Sequence, residues 1–316
     1  MYQSILIPVD GSTFSEQALP TVEMLARHAN AVVHLVQVHV PIITTDVEGL
    51  PINDLDPQAD ADARDRELVY LEQLRRRVTS SGALNVSTTL LDAPVVPALI
   101  AYQHAHNVDL TVMTTHGRGG FARFWLGSTA DMIVRESVIP VLLQRPDESQ
   151  PGLRQPVAFK HILIPLDGSA EAEAILERVV AFGTLMDSTY TLLRVAEPFM
   201  LLGYDPVLYV GDAGIKAEAE QEYVAAAYLE QVADRLHRQG VQGRVQTRVV
   251  YAQQAASAIL QDAREHALDA IAMATHGRHG PSRLLLGSTA DKVIRGTHLP
   301  VLVFHPRLTE ERLHDV

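Results

Sequence analysis

The sequence contains no cysteine. This absence excludes disulfides, thiolate metal sites and cysteine nucleophiles, and it fits a reducing compartment. Basic residues are also in deficit: 26 Lys and Arg stand against 38 Asp and Glu, which gives a formal net charge of −12 at pH 7. A protein that coats nucleic acid or an anionic membrane needs the opposite balance, because it has to neutralise phosphates. We therefore expect no nucleic acid and no membrane among its partners.

Long hydrophobic runs are absent too. No stretch approaches the length of a membrane span, and the first residues lead into a strand-like run without the basic flank and apolar core of a signal peptide. We therefore expect a cytoplasmic protein. There is also no Walker A sequence, no Gly-x-Ser-x-Gly elbow and no His-Glu-x-x-His motif. The sequence thus predicts no catalytic residue and no metal site, and it does not indicate an enzyme.

The sequence contains one pattern of residues that occurs twice. Residues 4–12 return as 161–169, residues 110–131 as 270–291, and residues 139–143 as 299–303. Such self-similarity indicates the duplication of one domain. The polar, proline-bearing stretch between the copies is typical of a linker. We predict a first domain at residues 1–146, a linker at 147–159, a second domain at 160–306 and a C-terminal tail at 307–316.

Within each half, short apolar runs rich in β-branched residues alternate with longer helical patterns. This alternation is typical of an α/β fold in which helices cover both faces of a parallel sheet. We predict two open, doubly wound, five-stranded parallel sheets in a Rossmann-like tandem repeat, although the alternation alone does not give the strand order. The predicted strands are residues 4–9, 31–39, 85–91, 110–115, 139–143, 161–166, 189–196, 244–251, 270–275 and 299–304. The predicted helices are residues 13–28, 60–80, 95–106, 128–136, 170–182, 216–239, 254–266 and 288–295.

The loop after the fourth strand of each half is the main candidate site. In both copies a His-Gly-Arg sequence is followed by Gly-Ser-Thr-Ala-Asp, with nine residues between the two glycines. The glycines let backbone N–H groups approach a ligand closely, the arginines offset the acidic net charge, and the serine stands at the positive end of a helix dipole. This combination predicts a phosphate site. The residues are Gly117, Arg118, Gly127 and Ser128 in the first copy and Gly277, Arg278, Gly287 and Ser288 in the second.

A second interpretation of the same residues stays open. Ser128-x-x-Asp131 and Ser288-x-x-Asp291 fit a capping box, in which the serine merely caps its own helix. In addition, each aspartate would repel an anion if it pointed inward. The recurrence of the whole pattern in both copies favours the ligand site over the cap.

Four titratable residues flank these loops. Asp10 and Asp167 close the first strand of their halves and are suited to accept hydrogen bonds from ribose hydroxyls or an amine; the alternative is a turn former and helix cap. If the first and fourth strands are neighbours, Asp10 and the glycine loop share one crevice. His116 and His276 have no second ligand or paired carboxylate at a completing spacing. We interpret both as hydrogen-bonded structural histidines.

Two connections are longer than a compact domain needs. Residues 41–57 are acidic and proline-bearing, whereas residues 198–210 are strongly apolar. We interpret the apolar loop as packed on the body of the protein. A lid, a docking surface or a site for a hydrophobic ligand are the alternatives.

Taken together, these motifs resemble the universal stress protein family. Its ATP-binding members carry Gly-x-x-Gly, nine residues and Gly-Ser or Gly-Thr after the fourth strand, and an aspartate after the first. The pattern covers nearly the whole chain, twice, so the chain resembles a tandem member. The resemblance implies the adenine nucleotide α-hydrolase-like fold with strand order 3-2-1-4-5 in each half. It places a nucleotide crevice between the first and fourth strands.

The resemblance also implies a ligand and its contacts. The ligand would be ATP, or ADP or AMP, and Mg²⁺ is expected with a triphosphate although no dedicated carboxylate site is visible. The aspartates would meet the adenine or ribose, the valine backbones the adenine, and the loop residues the ribose and phosphates. The nucleotide-binding residues would be Asp10, Val38, Met113, Gly117, Arg118, Gly127, Ser128 and Thr129 in the first half, and Asp167, Val195, Met273, Gly277, Arg278, Gly287, Ser288 and Thr289 in the second.

The chain departs from the family pattern at one position of each copy. The first glycine of the motif is Thr114 in the first half and Ala274 in the second. A β-branched threonine would intrude on the ligand more than an alanine, so we predict that the second half is the better nucleotide site.

The last strands suggest an assembly. Each is a short apolar run that begins with a proline, as suits a sheet edge, and such an edge needs a cover. Family members commonly pair through this strand. The resemblance therefore implies that the two halves of the chain pair with each other, and a homodimer of the whole chain is also expected.

These observations lead to one functional hypothesis with two alternatives. The chain is expected to bind an adenine nucleotide in a stress response and to act through its partners or its assembly. The first alternative is a scaffold that has lost nucleotide binding, which the residues at positions 114 and 274 favour. The second is a slow nucleotide hydrolase with His116 or His276 as general base.

Overall fold

A computed structural model describes residues 2–41, 43–45, 51–55, 57–80, 82, 84–116, 126–147, 158–197, 212–241, 244–275 and 286–306. The chain divides into two compact units, Met1–Val157 and Ala158–Val316. The division lies within the stretch predicted as a linker, and the predicted domain boundaries stay predictions. The apolar loop 198–210 and the tail 307–316 lie outside the described residues.

The first unit is built on a five-stranded parallel sheet. Read from its β5 edge, the strand order is β5-β2-β1-β6-β7, which is 3-2-1-4-5 when these strands are numbered along the chain. The strands are β1 (Ser4–Pro8), β2 (Val32–His39), β3 (Ile43–Thr45), β4 (Pro51–Leu55), β5 (Asn85–Asp92), β6 (Leu110–Thr114) and β7 (Val141–Gln144). The helices are α1 (Thr13–Glu16), α2 (Leu19–Ala29), α3 (Pro57–Ser80), α4 (Val95–Ala105) and α5 (Ser128–Glu136).

The second unit repeats this plan. Its parallel strands follow the order β10-β9-β8-β11-β12, which is again 3-2-1-4-5 along the chain. The strands are β8 (His161–Pro165), β9 (Thr189–Ala196), β10 (Val245–Tyr251), β11 (Ala270–Ala274) and β12 (Val301–Phe304). The helices are α6 (Ala170–Glu173), α7 (Ile175–Met186), α8 (Asp212–Arg238), α9 (Ala255–Glu265) and α10 (Ser288–Gly296). The predicted α/β fold class and the strand order implied by the resemblance are confirmed.

The sheets are buried because both of their faces are covered. Ile5, Leu6 and Ile7 of β1 are fully buried, as are the matching residues of β8. The helix α2 buries Leu19, Val22, Leu25 and Ala26, a spacing that places one apolar stripe on the sheet. Each such large apolar side chain contributes roughly 1.5–3 kcal/mol when it leaves water. This core holds the carboxyl ends of the strands in fixed positions.

Two predicted helices are each divided in the structure. Residues 13–28 form α1 and α2, and residues 170–182 form α6 and the start of α7. Pro20 has no N–H to continue the helical ladder in the first unit. The second unit breaks at Ala174 without a proline, so the break belongs to the fold and not to one residue. The acidic connection 41–57 also contains an antiparallel hairpin, β3–β4, that was not predicted.

Candidate functional site

A crevice of about 500 Å³ opens in the first unit beyond the carboxyl ends of β1 and β6. These strands are neighbours. The chain leaves β1 towards β2 on one side and leaves β6 towards β7 on the other, so the crevice lies where the strand order reverses. In open α/β sheets ligands bind at this point, and the volume is that of a small-molecule site, roughly 300–1,000 Å³.

The structure brings most of the predicted first-half residues to this crevice. Those on its wall are Asp10, Val38, Met113, Gly127, Ser128 and Thr129. Gly117 and Arg118 lie outside the described residues. Sequence reasoning missed Gln37, Val40, Glu67 and Leu99, which also line the crevice. The sequence could have predicted Gln37 and Val40, because both lie within two residues of the predicted Val38. Glu67 lies on the helix α3, and no nearby predicted residue pointed to it.

The N-terminus of α5 forms one end of the crevice. Gly127 is the N-cap residue, with φ −59° and ψ 149°, and Ser128 is the first helical residue. Asp131 pairs with Arg135, whose Nε donates to Oδ2 over 2.8 Å. The capping-box interpretation is therefore wrong: the serine is one position too late, and the aspartate belongs to an ion pair. Among the described side chains none caps this helix, so its first N–H groups open on the crevice.

Gly127 is required by a close approach. Its N–H donates to the carbonyl oxygen of Thr115 over 2.8 Å. A Cβ at this position would stand 3.0 Å from that same oxygen, a contact tighter than side chains normally make. The glycine therefore lets the start of α5 close onto the end of β6.

Asp10 follows β1 on the wall of the crevice and shapes the first turn. Its Oδ1 accepts hydrogen bonds from the N–H of Ser12 over 2.9 Å and from the Ser12 hydroxyl over 2.6 Å. The cap of α1 is Ser12 itself, which accepts from the N–H of Ser15 over 3.2 Å. Asp10 is thus a turn former but not the cap. It lines the crevice at the same time, so the two interpretations do not exclude each other.

His116 is held by its neighbours at the end of β6. Its Nδ1 lies 3.0 Å from the Thr115 hydroxyl oxygen, and its carbonyl oxygen accepts from the Thr114 hydroxyl over 2.8 Å. These contacts fit the structural role predicted for this histidine. Thr114 is buried and lines the crevice. His276 lies outside the described residues.

A buried histidine contacts Glu67 of the crevice wall, and no sequence signal pointed to it. The side chain of His39 is 1% exposed; its Nε2 lies 2.9 Å from Asp60 Oδ1 and its Nδ1 lies 2.7 Å from Glu67 Oε2. Burial alone would lower the pKa of His39, but the hydrogen bonds and charges of the two carboxylates outweigh it and raise the pKa. Through these two contacts His39 ties α3 to the end of β2 and fixes the position of Glu67.

The second unit has the same backbone at the corresponding points. Asp167 accepts from the N–H of Ser169 over 2.9 Å. Gly287 is the N-cap of α10, and Asp291 pairs with Arg295 over 2.7 Å. The remaining predicted residues lie at matching strand ends or on the first turn of α10: Val195, Met273, Ser288 and Thr289. Gly277 and Arg278 lie outside the described residues.

The part of the chain that the structure describes lacks two further features. No group of three or more His, Asp or Glu there could hold a metal ion. None of the described helices combines the length and the apolarity that crossing a membrane requires.

Comparison with known proteins identifies the class. The model of the Universal stress protein family matches residues 1–145 and again residues 158–305. The chain therefore belongs to the universal stress protein family. It is a tandem member of that family, with one family domain in each half.

The chain is similar to relatives of the same length. A universal stress protein of Synechocystis sp. is 23% identical over 317 residues, which cover 96% of this chain and 99% of the relative. The solved structure of a universal stress protein from Archaeoglobus fulgidus covers 96% of each chain with a TM-score of 0.66 at 19% identity, and it shares the fold. A universal stress protein solved in complex with cAMP matches 47% of this chain at 18% identity with a TM-score of 0.34. At that score the likeness says nothing about a ligand of this chain.

Proposed function

We propose that this protein binds ATP or a related adenine nucleotide in a stress response and acts through changes in its protein partners or its assembly. The observation that carries the proposal is the crevice of the first unit. In it a carboxylate, Asp10, and an uncapped helix N-terminus line the same cavity at the ends of two adjacent strands. Membership of a family with ATP-binding members supports the same conclusion.

The chemistry of the two ends fits a nucleotide. The N–H groups of Ser128 and Thr129 and the helix dipole favour an anion such as a phosphate. Beyond the end of β1, Asp10 is suited to accept hydrogen bonds from ribose hydroxyls. Val38 of β2 also lines the crevice, and its apolar side chain is a surface against which a base can pack.

Calorimetric titration of the nucleotide-stripped protein with Mg-ATP, ADP and AMP tests this function. We expect micromolar binding, about −8 kcal/mol, with a stoichiometry that counts the working units. The control is the double variant Ser128→Glu, Ser288→Glu, which should lose binding because a carboxylate would face the phosphates. Glutamate at a first helical position suits the helix dipole, so the variant should keep its fold. Absence of heat with the unaltered protein, together with no co-purified nucleotide, would reject the proposal.

The scaffold alternative is favoured by one observation: Thr114 occupies the crevice wall where the family motif has glycine. The same titration separates the two functions, since a scaffold would bind partners without nucleotide. A hydrolase would in addition release phosphate steadily, and His116→Ala would abolish that release.

A further inference from the structure

A buried histidine and two carboxylates form a cluster that reaches the crevice of the first unit. His39 ends β2, and its side chain is 1% exposed. Its two ring nitrogens lie 2.9 Å from Asp60 Oδ1 and 2.7 Å from Glu67 Oε2, both on α3. Glu67 also lines the crevice. We refer to these three residues as the histidine cluster. It connects a side chain that titrates near neutral pH to the wall of the proposed ligand site.

The geometry of the histidine cluster favours a proton on each ring nitrogen. An ionised carboxylate only accepts hydrogen bonds, whereas a neutral imidazole donates from one nitrogen and accepts at the other. A neutral His39 can therefore satisfy only one of its two carboxylates, and the other faces a lone pair at hydrogen-bond distance. A charged His39 satisfies both. Burial opposes this charge, but the two carboxylates outweigh burial and raise the pKa of His39.

The neighbouring charges do not replace this proton. Asp92 of β5 is the strand neighbour of His39, and Arg64 of α3 pairs with it. The Nε of Arg64 also lies 3.4 Å from Asp60 Oδ2, so one arginine is shared between two carboxylates. Among the described residues, Glu67 forms an ion pair with His39 alone. When His39 loses its second ring proton, the carboxylate of Glu67 therefore stays on the crevice wall without a cation.

The charge of this wall affects any anion in the crevice. Loss of the proton adds one unit of negative charge to the histidine cluster, and a like charge opposes the entry of a phosphate-bearing ligand. The same interaction acts in the other direction, because the coupling between two binding events is reciprocal. A bound anion therefore makes His39 retain its proton to higher pH.

The second unit has alanine at two of the three positions of the cluster. The strand registers of the two units match, so Ala196 of β9 stands at the position of His39. Ala225 of α8 stands at the position of Glu67. The repeated fold thus forms without this histidine and this glutamate, and the second unit is a natural control for their effect.

We propose that nucleotide binding by the first unit is linked to a proton on His39: the unit binds its ligand more tightly while both ring nitrogens carry a proton, and the bound nucleotide holds that proton in place. The inference rests on the proposed nucleotide function and adds regulation by pH to it. It assigns this regulation to the first unit alone. The affinity of the first unit should therefore fall as His39 loses its proton with rising pH.

Calorimetry with Mg-ATP from pH 6 to 9 compares the two units within the whole chain. Ser288→Glu leaves the first unit to bind, and Ser128→Glu leaves the second. Titration of the ligand itself affects both units and cancels in the ratio of their affinities. We expect the first unit to lose affinity roughly threefold relative to the second over this range, the effect of one unit charge across a solvated crevice. A ratio that does not change with pH overturns the inference, while nucleotide binding stands.

Two substitutions on α3 assign the effect to the histidine cluster. Glu67→Gln removes one carboxylate from His39 but keeps the size of the side chain, so the fall in affinity should move to lower pH. The matched control is Asp65→Asn, which removes an exposed carboxylate from the same helix and should leave the fall at the same pH. If both variants behave alike, the histidine cluster is not the source and the inference is overturned.

The reciprocal measurement uses the unaltered protein. Nuclear magnetic resonance of the imidazole nitrogens follows the protonation of each histidine, and the signal missing from His39→Ala identifies His39. A threefold change in affinity corresponds to a rise of about half a pH unit in the pKa of His39 when Mg-ATP saturates the protein. An unchanged pKa with nucleotide bound overturns the inference. If the unaltered protein binds no nucleotide even at pH 6, the inference and the proposed function both fall.

Discussion

The two units share a backbone and differ in the side chains around one end of it. The turns at Asp10 and Asp167 and the helix starts at Gly127 and Gly287 have the same hydrogen bonds. The strand β2 and the helix α3, however, contribute side chains that β9 and α8 lack. Gln37 corresponds to Arg194, His39 to Ala196, and Glu67 to Ala225.

This difference shows which part of the site a duplication can copy without change. An anion held by N–H groups needs only the loop and the helix start, and backbone geometry tolerates divergence of side chains. Recognition of a base near the ends of β2 and β9 would depend on individual side chains, and these have diverged. The comparison therefore predicts two units that both accept phosphate but differ in affinity and in base selectivity.

The largest expected effect concerns the starts of α5 and α10, where we propose that phosphates bind. Ser128→Glu and Ser288→Glu, made singly, should each remove nucleotide from the altered unit, because a carboxylate at the helix start would repel the phosphates. Since Ala274 intrudes less than Thr114, Ser288→Glu should remove the tighter of two binding phases, a loss of about hundredfold. Calorimetry with Mg-ATP measures both variants. Equal losses, or a greater loss from Ser128→Glu, would contradict the ranking of the units.

The sequence predicted the part of the site that depends on a local pattern of residues. The nine-residue spacing located the start of α5 at Ser128, because glycine followed by serine punctuates a helix boundary. The role of the serine was not settled, since Ser-x-x-Asp fits a capping box whether or not the serine is the cap. Whether the serine or the preceding glycine is the N-cap depends on the extended conformation of Gly127, and the spacing does not predict that conformation.

The fold, like the site, was predicted only where the sequence pattern is local. Alternating strand and helix patterns predict a doubly wound sheet, but the order of its strands came from family resemblance. The contact of His39 with Asp60 and Glu67 joins a strand to a helix that follows a hairpin, and no local spacing rule links them. The strand β4 (Pro51–Leu55) was interpreted as part of a loop because this stretch contains proline and acidic residues.

A second, smaller effect concerns stability. His39→Ala copies the second unit, where Ala196 has this position, and it leaves two carboxylates without their cation. Because Asp60 and Glu67 are partly exposed, we expect a loss of about 2 kcal/mol in the free energy of unfolding, less than for a fully buried pair. Urea unfolding of the whole chain measures it, and the matched control is Thr191→Ala on β9.

The pH dependence of this loss follows from the raised pKa of His39. A histidine whose pKa is higher in the folded state stabilises fully below its unfolded pKa, about 6.5. That contribution disappears as the pH rises through the folded-state pKa. The difference in unfolding free energy between the unaltered protein and His39→Ala should therefore be greatest near pH 6 and should shrink towards alkaline pH. A difference that is constant from pH 6 to 9 would show that His39 is not charged.

The smallest expected effect restores the glycine of the family motif in each unit. Thr114→Gly removes a β-branched side chain from the crevice wall, and Ala274→Gly removes only a methyl group, so the first unit should gain more. We expect roughly threefold tighter Mg-ATP binding in the first unit and little change in the second, each measured with the other unit blocked by its Ser→Glu change. Thr114→Gly should also lower stability by about 1 kcal/mol, since glycine is unfavourable in a strand and the hydroxyl bond to the His116 carbonyl is lost. An unchanged affinity after Thr114→Gly would mean that this threonine does not limit the first unit, and the difference between the units would then have to lie at the base end alone.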